Sequence, residues 1–105
     1  MTEEDLMELG GSIILSGFKE VDKRDMIVLK KIIGNYVKKF REQIDGYEEL
    51  KLTIKFIHGE NKKFEAKGEI IAKGKPHNSK LTHFNLFIGI DELLKKLESS
   101  IAKKL

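Results

Sequence analysis

The chain has 105 residues, a formal charge of +3 and no cysteine. This length suits one domain around a single hydrophobic core, and the lack of cysteine excludes disulfides and thiolate metal sites. The first eleven residues carry four acids and no base, which leaves 20 basic against 13 acidic residues in the remainder. Such a basic excess favours a polyanion or an acidic surface as partner, although it also serves solubility alone.

The sequence gives no sign of secretion or membrane insertion. No run of apolar residues approaches the roughly 18 that a membrane-spanning helix needs. The N-terminus is acidic and lacks the basic and apolar regions of a secretion signal. We therefore expect a cytoplasmic protein without a membrane partner.

The chain divides into an acidic arm and one domain. Residues 1–11 predict a flexible acidic arm that ends at the glycine pair Gly10 and Gly11. Residues 12–105 predict a single α+β domain. Its first segment, residues 12–18, is β-branched and apolar, as expected for a buried strand.

A helix is predicted next, with Asp22 as its N-cap and Gly46 as its stop. Apolar side chains recur every three to four residues, which indicates one buried stripe on this helix. The predicted members of the stripe are Met26, Leu29, Ile33, Tyr36, Phe40 and Ile44.

The pattern then changes to that of strands. From Glu48 to Phe56 the apolar period is two, which predicts a half-buried strand. The alternation resumes at Lys63 after a polar turn, so the two runs predict a long hairpin. "GKPHNS", residues 74–79, predicts a break, and residues 81–84 predict a short fourth strand.

The last predicted element is a helix capped by Asn85. The element order is therefore β-α-β-β-β-α. Because each strand has one apolar and one charged face, both helices should cover the same face of a four-stranded mixed sheet, giving an α+β two-layer sandwich. The predicted buried stripe of the closing helix is Leu86, Ile90, Leu93, Leu97 and Ile101.

The residues needed for catalysis or metal binding are scarce. The three histidines, His58, His77 and His83, lack the helical i, i+4 spacing of a zinc site. "GEIIAKGKP" has five residues between its glycines and Pro76 in place of the Ser or Thr that a phosphate loop requires. The sequence therefore predicts no catalytic residue, no metal and no cofactor.

A basic sector on the first helix is more informative. At 100° per residue, its basic side chains fall within roughly 100° beside the apolar stripe, with Gly34 among them. Lysines spaced in this way can meet successive phosphates, and a glycine lets a backbone approach closely. A solvated helix face is the alternative interpretation. The basic members of this sector are Lys23, Lys30, Lys31, Lys38 and Arg41.

The closing helix adds Lys95, Lys96 and Lys103. Compensation of the helix dipole is sufficient to explain Lys103. Two helices on one side of a sheet nevertheless predict adjacent basic faces, and these suit recognition of an RNA backbone by shape. Aromatic RNA-recognition strand motifs and a GxxG loop are both missing from the sequence.

The closing stretch "LFIGIDELLKKLESSIAKKL" resembles the final helix of ribosome hibernation promoting factors and the related ribosome-associated inhibitor proteins, in their short form. "ILSGF", residues 14–18, resembles that family's first strand, whereas the acidic arm and the "KPHNSK" loop depart from the family pattern. In the closing helix the positions that carry the resemblance are Phe87, Gly89, Ile90, Asp91, Lys96, Leu97, Ile101 and Lys103.

The resemblance implies a protein that occupies the small ribosomal subunit where messenger and transfer RNA would sit. It would silence translation under stress by steric occlusion, without chemistry. The leading hypothesis is therefore a ribosome-associated translation inhibitor that binds small-subunit ribosomal RNA. The alternatives are a protein-interaction module that assembles through an exposed sheet edge, for instance as a homodimer, and a small enzyme.

Overall fold

The computed structural model describes residues 6–9, 12–57, 59 and 63–102. A short 3₁₀ turn, Phe18–Glu20, links the second strand to the first helix. The other elements, in chain order, are β1 (Leu6–Leu9), β2 (Ile13–Ser16), α1 (Lys23–Gln43), β3 (Tyr47–Phe56), β4 (Phe64–Ala72), β5 (Lys75–His83) and α2 (Leu86–Ala102).

One mixed sheet holds all five strands in the order β1-β2-β3-β4-β5. The β2 and β3 strands are parallel, and every other neighbouring pair is antiparallel. The predicted count of four strands is wrong because β1 lies within the predicted acidic arm, where its sequence, "LMEL", does not show the apolar–polar alternation of a half-buried strand. Residues 1–5, 10 and 11 of that arm lie outside the described residues, so its flexibility stays a prediction.

Helix α1 begins after the predicted cap, Asp22, and ends at Gln43, three residues before the predicted stop at Gly46. The Asp22 carboxylate accepts a hydrogen bond from the backbone N–H of Arg24 at 2.8 Å, which caps the N-terminus. The helix ends at Gln43, and Gly46 turns the chain into β3 with a φ of 76°. The buried side chains are Met26, Leu29, Ile33, Val37 and Phe40.

The central hairpin of β3 and β4 has the predicted alternation. Residues Leu50 and Leu52 face Ile70 and Gly68 across the pair, and these positions are buried. The intervening side chains, such as Lys51, are exposed on the other face of the sheet. One face of the sheet is therefore apolar and the other is charged.

The fourth predicted strand is longer than the sequence indicated. Strand β5 follows a two-residue turn in which Lys73 and Gly74 have φ values of 52° and 74°, as a type I′ hairpin turn requires. Pro76 is tolerated because β5 is an edge strand, where a missing N–H disturbs no ladder. The predicted break at 74–79 is therefore wrong.

Helix α2 packs closely on the sheet. The Asn85 side chain caps it by accepting from the N–H of Ile88 at 3.1 Å, as predicted. A methyl group at Gly89 would lie 2.6 Å from Cζ of Phe64, so the absence of a side chain permits this close approach. Both helices contribute to one core on the apolar face of the sheet, which confirms the two-layer α+β sandwich.

Neither helix in the described ranges has the length and apolar character needed to cross a membrane.

Candidate nucleic-acid interface

The predicted basic residues of α1 are all exposed. We define the α1 basic sector as Lys23, Lys30, Lys31, Lys38 and Arg41. The helical wheel places two uncharged residues, Gly34 and Ile27, within the same sector. The Ile27 side chain is 61% exposed, so the sector combines cationic side chains with an exposed apolar side chain.

The α1 basic sector faces the side of the molecule where β2 lies. The Arg41 guanidinium donates a hydrogen bond to Oγ of Ser12, immediately before β2. The four lysines of the sector form no ion pair or hydrogen bond with any residue that the structure describes. Their ammonium groups are therefore available to an external anion.

The basic residues of α2 lie elsewhere. Lys95 forms an ion pair with Asp91, with 3.1 Å between Nζ and Oδ2. Nζ of Lys96 donates to the backbone carbonyl of Lys80 at 3.2 Å, which places it above the edge strand β5. Lys103 lies outside the described residues, so its role stays a prediction.

Acidic side chains of α2 face α1 and separate the two basic regions. The Tyr36 hydroxyl donates to Oδ1 of Asp91 at 2.8 Å, and Lys39 pairs with Glu98 at 3.2 Å. Nζ of Lys39 also lies 5.7 Å from the centre of the Tyr36 ring. The prediction of adjacent basic faces is therefore wrong, because α2 contacts α1 through Tyr36 and Lys39, which lie outside the α1 basic sector.

This contact between the helices shifts two pKa values. The hydrogen bond from Tyr36 is the main reason that the pKa of the Asp91 carboxyl is lowered. Burial raises the pKa of the Tyr36 hydroxyl, and the negative charge of Asp91 raises it further. Both groups therefore hold the protonation states that their hydrogen bond needs at neutral pH.

The described histidines, His77 and His83, do not form a metal site with other described residues. Nδ1 of His83 accepts from the N–H of Asn85 at 2.9 Å, and its Nε2 lies 4.0 Å from the carboxylate of Glu92. His58 lies outside the described residues. Within the described ranges, no group of three or more His, Cys, Asp or Glu residues is placed to hold a metal ion.

A cavity of about 420 Å³ opens at the corner where both helices end. His77 lines it, together with the apolar side chains of Ile44 and Ile101. The carboxylate in this cavity, Asp45, lies 2.8 Å from Nζ of Lys73, and this ion pair lowers its pKa. A carboxylate engaged in this way is a poor partner for His77 in acid–base chemistry.

Sequence reasoning missed two features of these surfaces. It did not assign Ile27 to the α1 basic sector, although the helical wheel already places this residue away from the buried stripe. It also missed the contact of Lys96 with Lys80, because the register of β5 beside α2 has no signal in the sequence.

No protein-family model matches the sequence, and no curated protein matches it. Among solved structures, a ribosomal subunit interface protein from Coxiella burnetii is similar, with a TM-score of 0.64 over 89% of this chain and 93% of that chain. The two sequences are 13% identical over the match, so the likeness concerns the fold. The chain therefore has the fold of a ribosomal subunit interface protein.

Proposed function

We propose that this protein is a ribosome-associated translation inhibitor that contacts small-subunit ribosomal RNA through the α1 basic sector. The observation that carries the proposal is the set of exposed lysines on α1 without a described intramolecular partner, on a fold similar to that of a ribosomal subunit interface protein. In the cell the protein would be cytoplasmic.

The charge pattern of α1 supports RNA phosphate as the ligand. No Asp or Glu lies within the sector, and the nearest acid on the helical wheel is Glu42 at its edge. A cationic surface whose nearest acid lies at its edge attracts phosphate groups and releases their counterions on binding. Binding should therefore weaken steeply as the salt concentration rises.

Inhibition would occur by steric occlusion. The molecule is built around one hydrophobic core and has extents of 40 × 25 × 24 Å. A body of this size on the small subunit would block the path of messenger or transfer RNA without any catalytic step. Lys96, which lies above β5, would make a second contact with the ribosome, separate from the α1 basic sector.

Neutralisation of three lysines tests the proposal. Replacing Lys30, Lys31 and Lys38 together by Gln should weaken binding to purified small subunits at least tenfold, because each substitution removes a cation and with it a phosphate contact. The slope of log K against log salt should become shallower by about 2 to 3. Co-sedimentation at several salt concentrations measures both quantities.

A matched control carries the same change in net charge. Lys55, Lys63 and Lys75 are exposed outside the α1 basic sector, and their replacement by Gln should leave the salt slope close to that of the wild type. The proposal predicts that the control variant still inhibits a reconstituted translation system, whereas the sector variant does not. Equal behaviour of the two variants would refute the assignment of the sector.

The edge of the sheet argues against the protein-interaction alternative. Strand β5 carries Lys75, Pro76 and Lys80 along an exposed edge, and such residues discourage pairing with another strand. The Lys80 carbonyl is already occupied by Lys96. A stable dimer in light scattering, with no affinity for ribosomes, would favour the alternative.

A further inference from the structure

No contact with the described residues explains why residue 34 is glycine. It lies in the middle of α1, where glycine lowers helix stability relative to alanine. A methyl group built at this position meets no atom of the described residues within 4 Å. The φ of Gly34 is not in the positive range that favours glycine, whereas the φ of Gly46 is +76°. The fold would therefore be more stable with a side chain there.

The helix glycine Gly89 provides the contrast. A methyl group at Gly89 would lie 2.6 Å from Phe64 and 3.0 Å from Cβ of His83, so the packing of α2 explains that residue. The space above Gly34 is open instead. This open space lets a partner molecule approach the backbone of α1 closely at Gly34.

The surroundings of Gly34 indicate what approaches. Lys30 and Lys38 lie one helical turn before and after it, about 6 Å along the axis in each direction. Both side chains are exposed and have no described partner. Gly34 thus forms the floor of a notch between two ammonium groups, and a notch with this charge fits a polyanionic backbone.

We propose that an RNA backbone crosses α1 at Gly34, with its phosphates held between Lys30 and Lys38. This inference rests on the proposed function and adds the point of closest approach. Without a Cβ at residue 34, the sugar–phosphate chain reaches the helix backbone, and both lysines contact it from the sides. A side chain at residue 34 would lift the RNA away from both ammonium groups.

The test exploits opposite effects on stability and binding. Gly34→Ala and Gly34→Gln should raise the melting temperature by about 4 °C or more, because both residues are better helix formers than glycine. Binding to purified small subunits should fall, by about threefold for Gly34→Ala and at least tenfold for Gly34→Gln. Thermal unfolding and co-sedimentation measure the two effects on the same samples.

Asn35→Gln is the matched control. Asn35 is exposed beside the notch but outside the α1 basic sector, so this variant should be slightly more stable and bind as the wild type does. Full binding by the stabilised Gly34→Gln variant would overturn the inference while leaving the proposed function intact. Wild-type protein that fails to bind subunits would overturn both. A loss of binding in Gly34→Gln without any salt dependence in the wild type would identify a protein contact and overturn the RNA assignment.

Discussion

At the scale of single residues, a hydrogen bond between Tyr36 and Asp91 joins α1 to α2. The bond is 2.8 Å long and joins residues that are 55 positions apart in the chain. Because Asp91 accepts this bond as a carboxylate, its pKa is lowered. The interaction between the helices therefore depends on pH.

Replacing Tyr36 by Phe should lower the free energy of unfolding by about 1 kcal/mol at pH 7. A carboxyl whose pKa is lower in the folded state gives stability that is present above its unfolded pKa of about 3.9, and this stability is lost as the pH falls through the folded pKa. The difference between variant and wild type should therefore shrink between pH 7 and pH 3. Urea unfolding at the two pH values measures it.

Tyr47→Phe provides the control for this prediction. The Tyr47 hydroxyl donates to the backbone carbonyl of Ser12 at 3.3 Å, and a carbonyl does not titrate. The loss in this variant should be the same at pH 7 and pH 3. If the Tyr36→Phe loss were equally independent of pH, the role assigned to the Asp91 carboxylate would be wrong.

At the scale of elements, the same substitution should have opposite effects on the two helices. Gly89→Ala forces a methyl group against the ring of Phe64 and should destabilise the fold by about 1 to 3 kcal/mol. Gly34→Ala places a methyl group in open space and should stabilise it by about 1 kcal/mol. Urea unfolding of the two variants measures the direction of each change in the free energy of unfolding. Stabilisation by Gly89→Ala would contradict the close packing of α2.

The sequence predicted most elements because their physical signals are local. Asp22 and Asn85 are caps that satisfy the first N–H groups of each helix, and the alternation in β3 and β4 follows directly from a sheet with one buried face. Pro76 misled the prediction of β5, since its compatibility with a strand depends on that strand being at the edge of the sheet. This position is a property of the whole sheet and not of the local sequence.

At the scale of the whole molecule, the distribution of charge was the least predictable feature. The basic sector of α1 could be derived from the helical wheel, because it depends on one helix alone. The relation of that sector to Lys95 and Lys96 depends on how α2 is rotated against α1, which tertiary contacts such as Lys39 with Glu98 determine. The protein therefore has one compact cationic surface on α1 and a separate basic region above β5.

Directed hydroxyl-radical cleavage tests most directly whether the α1 basic sector faces RNA. The chain has no cysteine, so Asn35→Cys gives a single attachment point for iron–EDTA beside the sector, and Lys55→Cys gives one on the outer face of the sheet. In complexes with small ribosomal subunits, the probe at residue 35 should cleave ribosomal RNA strongly and the probe at residue 55 should cleave it weakly. Strong cleavage from residue 55 but not from residue 35 would contradict the account. So would the absence of cleavage from both positions in a complex that has formed.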